Sequence, residues 1–193
     1  MKARESGMPE EVYWSSFFDA NCILAKLGCA LRGDEHIAEF GSGYGTFTLP
    51  AARRTTGIVH AIDIEPELIG KLEDKAESEG IRNIRASMRD FVEEGSGLPA
   101  GSLDHVMLFN ILHLEDPVRL LVESLRILKP GATASVIHWK HDAATPRGPS
   151  MEIRPRPDDC RAWAEAAGFH FVRHQDLSEC CDYHYGMILN ADR

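Results

Sequence analysis

The stretch HIAEFGSGYGTF, His36 to Phe47, decides the fold. A short apolar run ending in Glu39-Phe40 opens at once into glycines at 41, 43 and 45. Glycines at this spacing remove the Cβ atoms that would keep a ligand off the backbone, and they accept positive φ where a strand reverses into a helix. This pattern is a nucleotide-binding turn, the alternative being a tight strand-to-helix turn without a ligand. A dinucleotide fingerprint, G-x-G-x-x-G, needs its third glycine at position 46, where this chain has Thr46. The spacing G-x-G-x-G, with Glu39 two residues ahead of Gly41, points away from NAD.

Outward from this turn, strand and helix patterns alternate. Strands are predicted over 36–40, 58–64, 83–88, 103–109, 132–139, 169–174 and 183–189. Helices are predicted over 46–54, over 66–79 with Pro66 at the first helical position, over 116–128, and over 158–167 with Gly168 as the cap. In the third of these, Val118, Leu121, Val122, Leu125 and Leu128 recur at helical spacing, and Pro130-Gly131 ends it. Repeated β-α units predict an α/β fold, a doubly wound and mostly parallel sheet with helices on both faces. Residues 145–157 read as a long Pro-rich loop of the kind that carries function, and residues 12–31 hold two helix-like stretches ahead of the first strand.

A chain of 193 residues suits a single domain, here a helical lid over 1–33 and a core over 34–193. The composition, 44% apolar and 26% charged, is that of a soluble protein, without an apolar stretch near the ~20 residues of a membrane span. No signal-peptide core is evident in residues 1–11, and five cysteines, an odd number, suggest a reducing compartment; the expectation is a cytoplasmic protein. A net charge of -9 argues against a nucleic-acid partner, which demands a basic face. Oligomeric state is not legible in the sequence.

In a doubly wound sheet, ligands bind beyond the carboxyl ends of the strands. Those ends carry Asp63, twenty-two residues after Gly41 and near the offset at which an acid meets ribose hydroxyls; Arg89-Asp90-Phe91; and Phe109-Asn110. In order, AEFGSGYG, AIDIEPE, RDF, LFNILHLEDP and LRILKPGA resemble the motifs of the small class I methyltransferases that depend on S-adenosylmethionine (SAM), over roughly residues 20–190. The resemblance implies a Rossmann-like sheet of order 3-2-1-4-5-7-6 with strand 7 antiparallel, SAM as cofactor and S-adenosylhomocysteine as product. It implies that Glu39, Gly41, Ser42, Gly43 and Gly45 border the methionine part of SAM, Asp63 the ribose, Ile64 a face of adenine, and Asp90 with Phe91 its edge. Asn110 then closes the pocket beneath the sulfonium. Glu39 and Asp63 have support from chemistry alone, since carboxylates suit a cation and a diol.

The residues after Asn110 are Ile111-Leu112-His113, without the two prolines and aromatic typical of amino methyltransferases of DNA or protein glutamine, and no Pro-Cys nucleophile occurs there. A small-molecule methyl acceptor is therefore expected. Two loops at the sheet edge, starting at His138 and at Leu177, supply Lys140, His141, Tyr183 and Tyr185 as candidate acceptor contacts. Phe17 and Phe18 are placed to close the pocket or to pack on the sheet. Cys180-Cys181, with His184 three residues on, read as free thiols or, alternatively, as thiolates for a metalloid acceptor such as arsenite; no structural metal spacing is present. Cys22 and Cys29, seven apart, share a helix face and read as core. Other readings are a SAM-binding sensor or partner subunit without transfer, and an oxidoreductase, which Thr46 disfavours.

Overall fold

A computed structural model of the protein describes residues 8–28 and 33–192. Its elements are α1 (Glu11–Ser15), α2 (Ala20–Lys26), β1 (Ile37–Phe40), α3 (Thr48–Ala52), β2 (Val59–Asp63), α4 (Pro66–Ser78), β3 (Ile84–Met88), β4 (Leu103–Phe109), α5 (Pro117–Ile127), β5 (Leu128–Trp139), α6 (Pro157–Ala167), β6 (His170–Gln175) and β7 (His184–Asn190). The seven strands form one sheet in the order β3-β2-β1-β4-β5-β7-β6. β7 runs antiparallel to both its neighbours and the remaining pairs are parallel, as expected from the motifs.

Apolar side chains cover both faces. On one, Leu120, Leu121 and Leu125 of α5 pack with Cys160 and Ala164 of α6 against Val106, Leu108 and Val136. On the other, Ile23, Leu24 and Leu27 lie over Ile37, Met107 and Ile137, and Leu72 and Ala76 of α4 form a smaller cluster. Since β1 and β4 are central neighbours while the chain leaves them toward opposite edges, a crevice opens beyond Phe40 and Phe109.

Three expected details change. β5 starts at Leu128 instead of 132, because Leu128 already has extended backbone (φ -75, ψ 142) and pairs with Leu103 before the register slips. β7 starts at His184, leaving Tyr183 outside it. Cys22 and Cys180 are disulfide-bonded, tying α2 to the loop after β6, where the Asp19 N–H also donates to the Cys180 carbonyl at 2.9 Å. The reading of Cys180 as a free thiol is thus overturned, and Cys22, read as core, is its partner; Cys160 and Cys181 are free and buried, and Cys29 lies outside the described residues. Spacing along the chain cannot reveal a pair 158 residues apart.

The 145–157 loop is ordered from within by Arg154, only 7% exposed. A buried guanidinium needs its donors satisfied. Arg154 donates to the Lys140 carbonyl and to Thr145 Oγ1, each at 2.9 Å, and to the Pro149 carbonyl at 2.9 Å.

Gly45 has φ +81, and a Cβ there would lie 2.4 Å from Leu72 Cδ1. Gly45→Ala is expected to destabilise the fold by about 1–3 kcal/mol in urea unfolding, from backbone strain and the contact with α4. A midpoint equal to that of the parent would contradict this. Stability should also depend on pH through buried groups. Burial holds the pKa of His105, set between Thr133 Oγ1 and Ser135 Oγ, down to about 4, and that of His184 down to about 3. Below their ordinary 6.5 the unfolded chain binds protons that the fold refuses, so each imidazole costs up to about 1 kcal/mol per pH unit as pH falls from 6.5 toward those values. Glu39 acts oppositely: its pKa is pushed up to about 8 from 4.5, so the fold keeps a proton that the unfolded chain loses across that window. The urea midpoint is therefore expected to climb to a maximum near pH 6.5 and decline toward about 8.

Candidate functional site

A cavity of about 470 Å3 occupies the crevice at the ends of β1, β2 and β4. Its polar half is built by the glycine turn. Gly41 and Gly43 have φ of +74 and +53 and line the cavity. The Gly43 N–H donates to Asp63 Oδ2 at 2.8 Å, and Asp63 Oδ1 accepts from the Glu65 N–H at 3.0 Å. One carboxylate thereby joins the turn after β1 to the end of β2. Burial raises its pKa, and the N–H groups of Gly43, Glu65 and Ile64 pull in the other direction.

Glu39, 2% exposed, accepts a hydrogen bond from Thr48 Oγ1. Burial is the main cause of its raised pKa, which Thr48 opposes and the charge of Asp63 reinforces. A cation brought beside it would restore its charge. Nearby, Ser42 Oγ, Thr46 Oγ1 and both amide atoms of Asn110 are buried without hydrogen-bond partners among the described residues. Asn110 also has φ 57, the positive φ of a non-glycine residue in the described chain. Strain and unsatisfied polarity cluster here on the wall of a cavity, which is how a site prepared for a polar ligand is expected to look. At the far side Ile64 and Phe91 line the cavity, and Asp90 Oδ1 caps the turn by accepting from the N–H groups of Val92 and Glu93 at 3.2 Å.

Of the residues expected around the cofactor, Glu39, Gly41, Ser42, Gly43, Asp63, Ile64, Asp90, Phe91 and Asn110 line this one cavity. Gly45 does not; it packs against Leu72 and Leu49, so it serves helix-to-sheet approach.

The second half is aromatic. Trp14 of α1 and Trp139 at the end of β5 have ring centres 6.3 Å apart, Phe47 and Phe109 lie 4.8 Å apart, and the 147–153 segment borders them. Trp14 belongs to α1, and Phe17 and Phe18 lie in the segment between it and α2. Trp14 reaches the cavity, whereas Phe17 packs on Trp139 at 5.4 Å and Phe18 on Phe47 at 5.2 Å, so the expected closing residues sit behind the wall. His113, three residues beyond Asn110, lines the same half and meets His138 Nε2 through Nδ1 at 3.3 Å.

The four edge residues expected to touch an acceptor are not cavity residues. β5 ends at Trp139, and Lys140 turns toward the neighbouring loop, where Nζ donates to the Asp182 carbonyl at 2.7 Å. Tyr183 packs against Phe17. Tyr185 donates to the Pro155 carbonyl at 3.0 Å and lies 3.3 Å from Cys160 Sγ, inside the core, where burial pushes its pKa up. His141 has no cavity contact. The thiol pair is also absent: Cys180 is spent in the disulfide, and burial drives the Cys181 pKa up to about 11. Among the described residues no group of three His, Cys, Asp or Glu could hold a metal. Sequence reading missed Trp14 and His113; the signal for His113 was its place one turn past a strand end.

Residues 37–131 match a family described as a methyltransferase domain. A stretch of 100 residues is 36% identical to the aklanonic acid methyltransferase of Streptomyces sp. (strain C5), covering 50% of this chain and 44% of that protein, so the match spans less than half of the relative's length. Among solved structures, a SAM-dependent methyltransferase from Aquifex aeolicus superposes with a TM-score of 0.81 at 22% identity, covering 94% of each chain. The [4+2]-cyclase SpnF superposes with a TM-score of 0.77 at 15% identity, over 99% of this chain and 85% of that one. The glycine turn, the acid after β2 and the exit of β4 all lie inside the segment that is similar to the methyltransferase-domain family, on a sheet of order 3-2-1-4-5-7-6.

Proposed function

We propose that this protein is an enzyme that moves the methyl group of SAM to a small-molecule acceptor. The observation that carries the reading is the division of one cavity into a half with buried, unpartnered polar atoms beside Glu39 and a half walled by aromatic rings. The first half fits a cation with an amino-acid head. Glu39, Gly41, Ser42 and Gly43 are assigned to that head, and Asn110 to the region beneath the sulfonium. Asp63 is assigned to the ribose, since each oxygen has spent one acceptor site on a backbone N–H and retains another. Ile64, Phe91 and the Asp90 turn are assigned to adenine. When bound, SAM supplies an electrophilic methyl group; the chain supplies position, orientation and exclusion of water.

The aromatic half suits an apolar acceptor, in keeping with a relative named for aklanonic acid. Residues 8–28 are assigned as the lid, through Met8, Pro9 and Trp14, on a core that we read as the rest of a single domain. SpnF, a cyclase by name on the same fold, is a reminder that fold does not choose the reaction. We place the protein in the cytoplasm on composition; no helix among the described residues is long and apolar enough to cross a membrane. The Cys22–Cys180 bridge tests that placement, because a reducing compartment keeps such pairs as thiols.

Calorimetry is expected to show binding of SAM and S-adenosylhomocysteine and much weaker binding of NAD. Asp63→Ala should weaken SAM by about 1–3 kcal/mol in a folded variant. Dinucleotide binding as tight as SAM binding would overturn the assignment. SAM binding should also release a proton near neutral pH, because the bound cation lowers the Glu39 pKa from about 8. Affinity should then tighten as pH rises toward 8 and level off above it, and Glu39→Gln should remove that component. Titrations in buffers of different ionisation enthalpy measure the released proton.

A further inference from the structure

We infer that the acceptor is an oxygen nucleophile on a flat apolar molecule, and that His113 Nε2 is the base that takes its hydroxyl proton. The inference rests on the methyl-transfer reading and adds to it the acceptor class and a catalytic residue. His113 lies in the turn after β4, three residues from Asn110, and lines the aromatic half of the cavity. Its Nδ1 is held by His138 Nε2 at 3.3 Å, with the two rings at 76°. His138 is fully buried on β5, so the ring of His113 has a fixed partner on one side, and its Nε2 takes no hydrogen bond among the described residues.

The shared proton decides whether Nε2 can act. If His113 Nδ1 donates and His138 Nε2 accepts, the neutral His113 ring has its lone pair on Nε2. His138 Nδ1 is buried without a hydrogen-bond partner among the described residues, so no acceptor fixes the tautomer, and the base we propose uses the one with the proton on Nδ1. A proton there leaves His138 Nε2 as the acceptor, the arrangement the base requires. Burial holds His113 below the usual imidazole range, and His138 lower still, with the charges of His113, His184 and Arg154 contributing to the latter; both rings are neutral at neutral pH.

Elimination supports the assignment. The carboxyl groups in the cavity, Glu39, Asp63 and Asp90, stand in the polar half and already accept hydrogen bonds from Thr48 or from backbone N–H groups. Trp14, Trp139 and Ile153 make the other half receptive to a neutral ring system. A neutral hydroxyl must lose its proton as it attacks. In the step proposed, that proton passes to His113 Nε2, an oxygen lone pair forms the O–C bond, and the C–S bond breaks with its electron pair on sulfur. The products are a methyl ether, S-adenosylhomocysteine and an imidazolium that returns its proton to water.

The first test needs no cofactor. Quenching of tryptophan fluorescence compares 1-naphthol with 1-methoxynaphthalene on the parent, His113→Gln and His113→Phe, each checked for fold by circular dichroism. The parent should prefer the naphthol about fivefold, and His113→Phe should lose the preference. The second test measures transfer from SAM to phenols of graded acidity. The ratio of parent to His113→Gln rates should be near one for nitrophenols that are already ionised and reach about 100-fold for weakly acidic phenols. A ratio that does not vary with phenol acidity, equal preference in all three proteins, no binding of either naphthalene, or transfer to amine or thiol probes alone would each overturn the inference. Failure to bind SAM would instead strike the methyl-transfer reading, and the naphthol comparison would still report on His113.

Discussion

The carboxylate of Asp63 against the amide of Gly43 is the constraint on which the site depends. It joins the turn after β1 to the end of β2, and a side chain on Gly43 would bring strain at φ +53. With that turn held, Ser42 and Glu39 face the space beyond the sheet instead of the core. Parallel strands make the arrangement available, because β1 and β4 deliver their carboxyl ends side by side while their helices leave in opposite directions.

Burial then sets the electrostatics. A carboxyl as enclosed as that of Glu39 resists ionisation, and a cation beside it would favour its charged form. The same enclosure keeps His105, His113, His138 and His184 neutral, by the opposite sign for bases. One physical cause thus acts on both sides of the cavity: an acid reluctant to be negative near the glycines, and the His113 imidazole reluctant to be positive near the aromatic wall.

The wall itself is assembled from distant segments. Arg154 gathers the 140–155 loop by its carbonyls, and the Cys22–Cys180 bridge fastens α2 beside it, so that Trp14, Phe17 and Trp139 pack edge to face. Each of these ties links residues that are remote in the chain or recognise backbone atoms. Neither kind of contact leaves a spacing pattern.

That difference separates what each level of description decides. The sequence alone places Glu39, Gly41, Gly43, Asp63, Asp90 and Asn110 at or just beyond the ends of strands, while the strand order is implied by the resemblance of the ordered motifs to a known family. Local pattern misjudged Gly45, whose missing Cβ makes room for Leu72 and not for a ligand, since a turn glycine looks the same in either use. Only the tertiary structure decided the aromatic half: Trp14 in place of Phe17 and Phe18, His113 in place of Lys140, His141, Tyr183 and Tyr185, and Cys180 as a disulfide partner in place of a thiol. Which of several neighbouring side chains faces a cavity depends on how far β5 extends, where Arg154 pins its loop and how α1 is rolled. Those are packing outcomes settled by contacts between segments far apart in the chain.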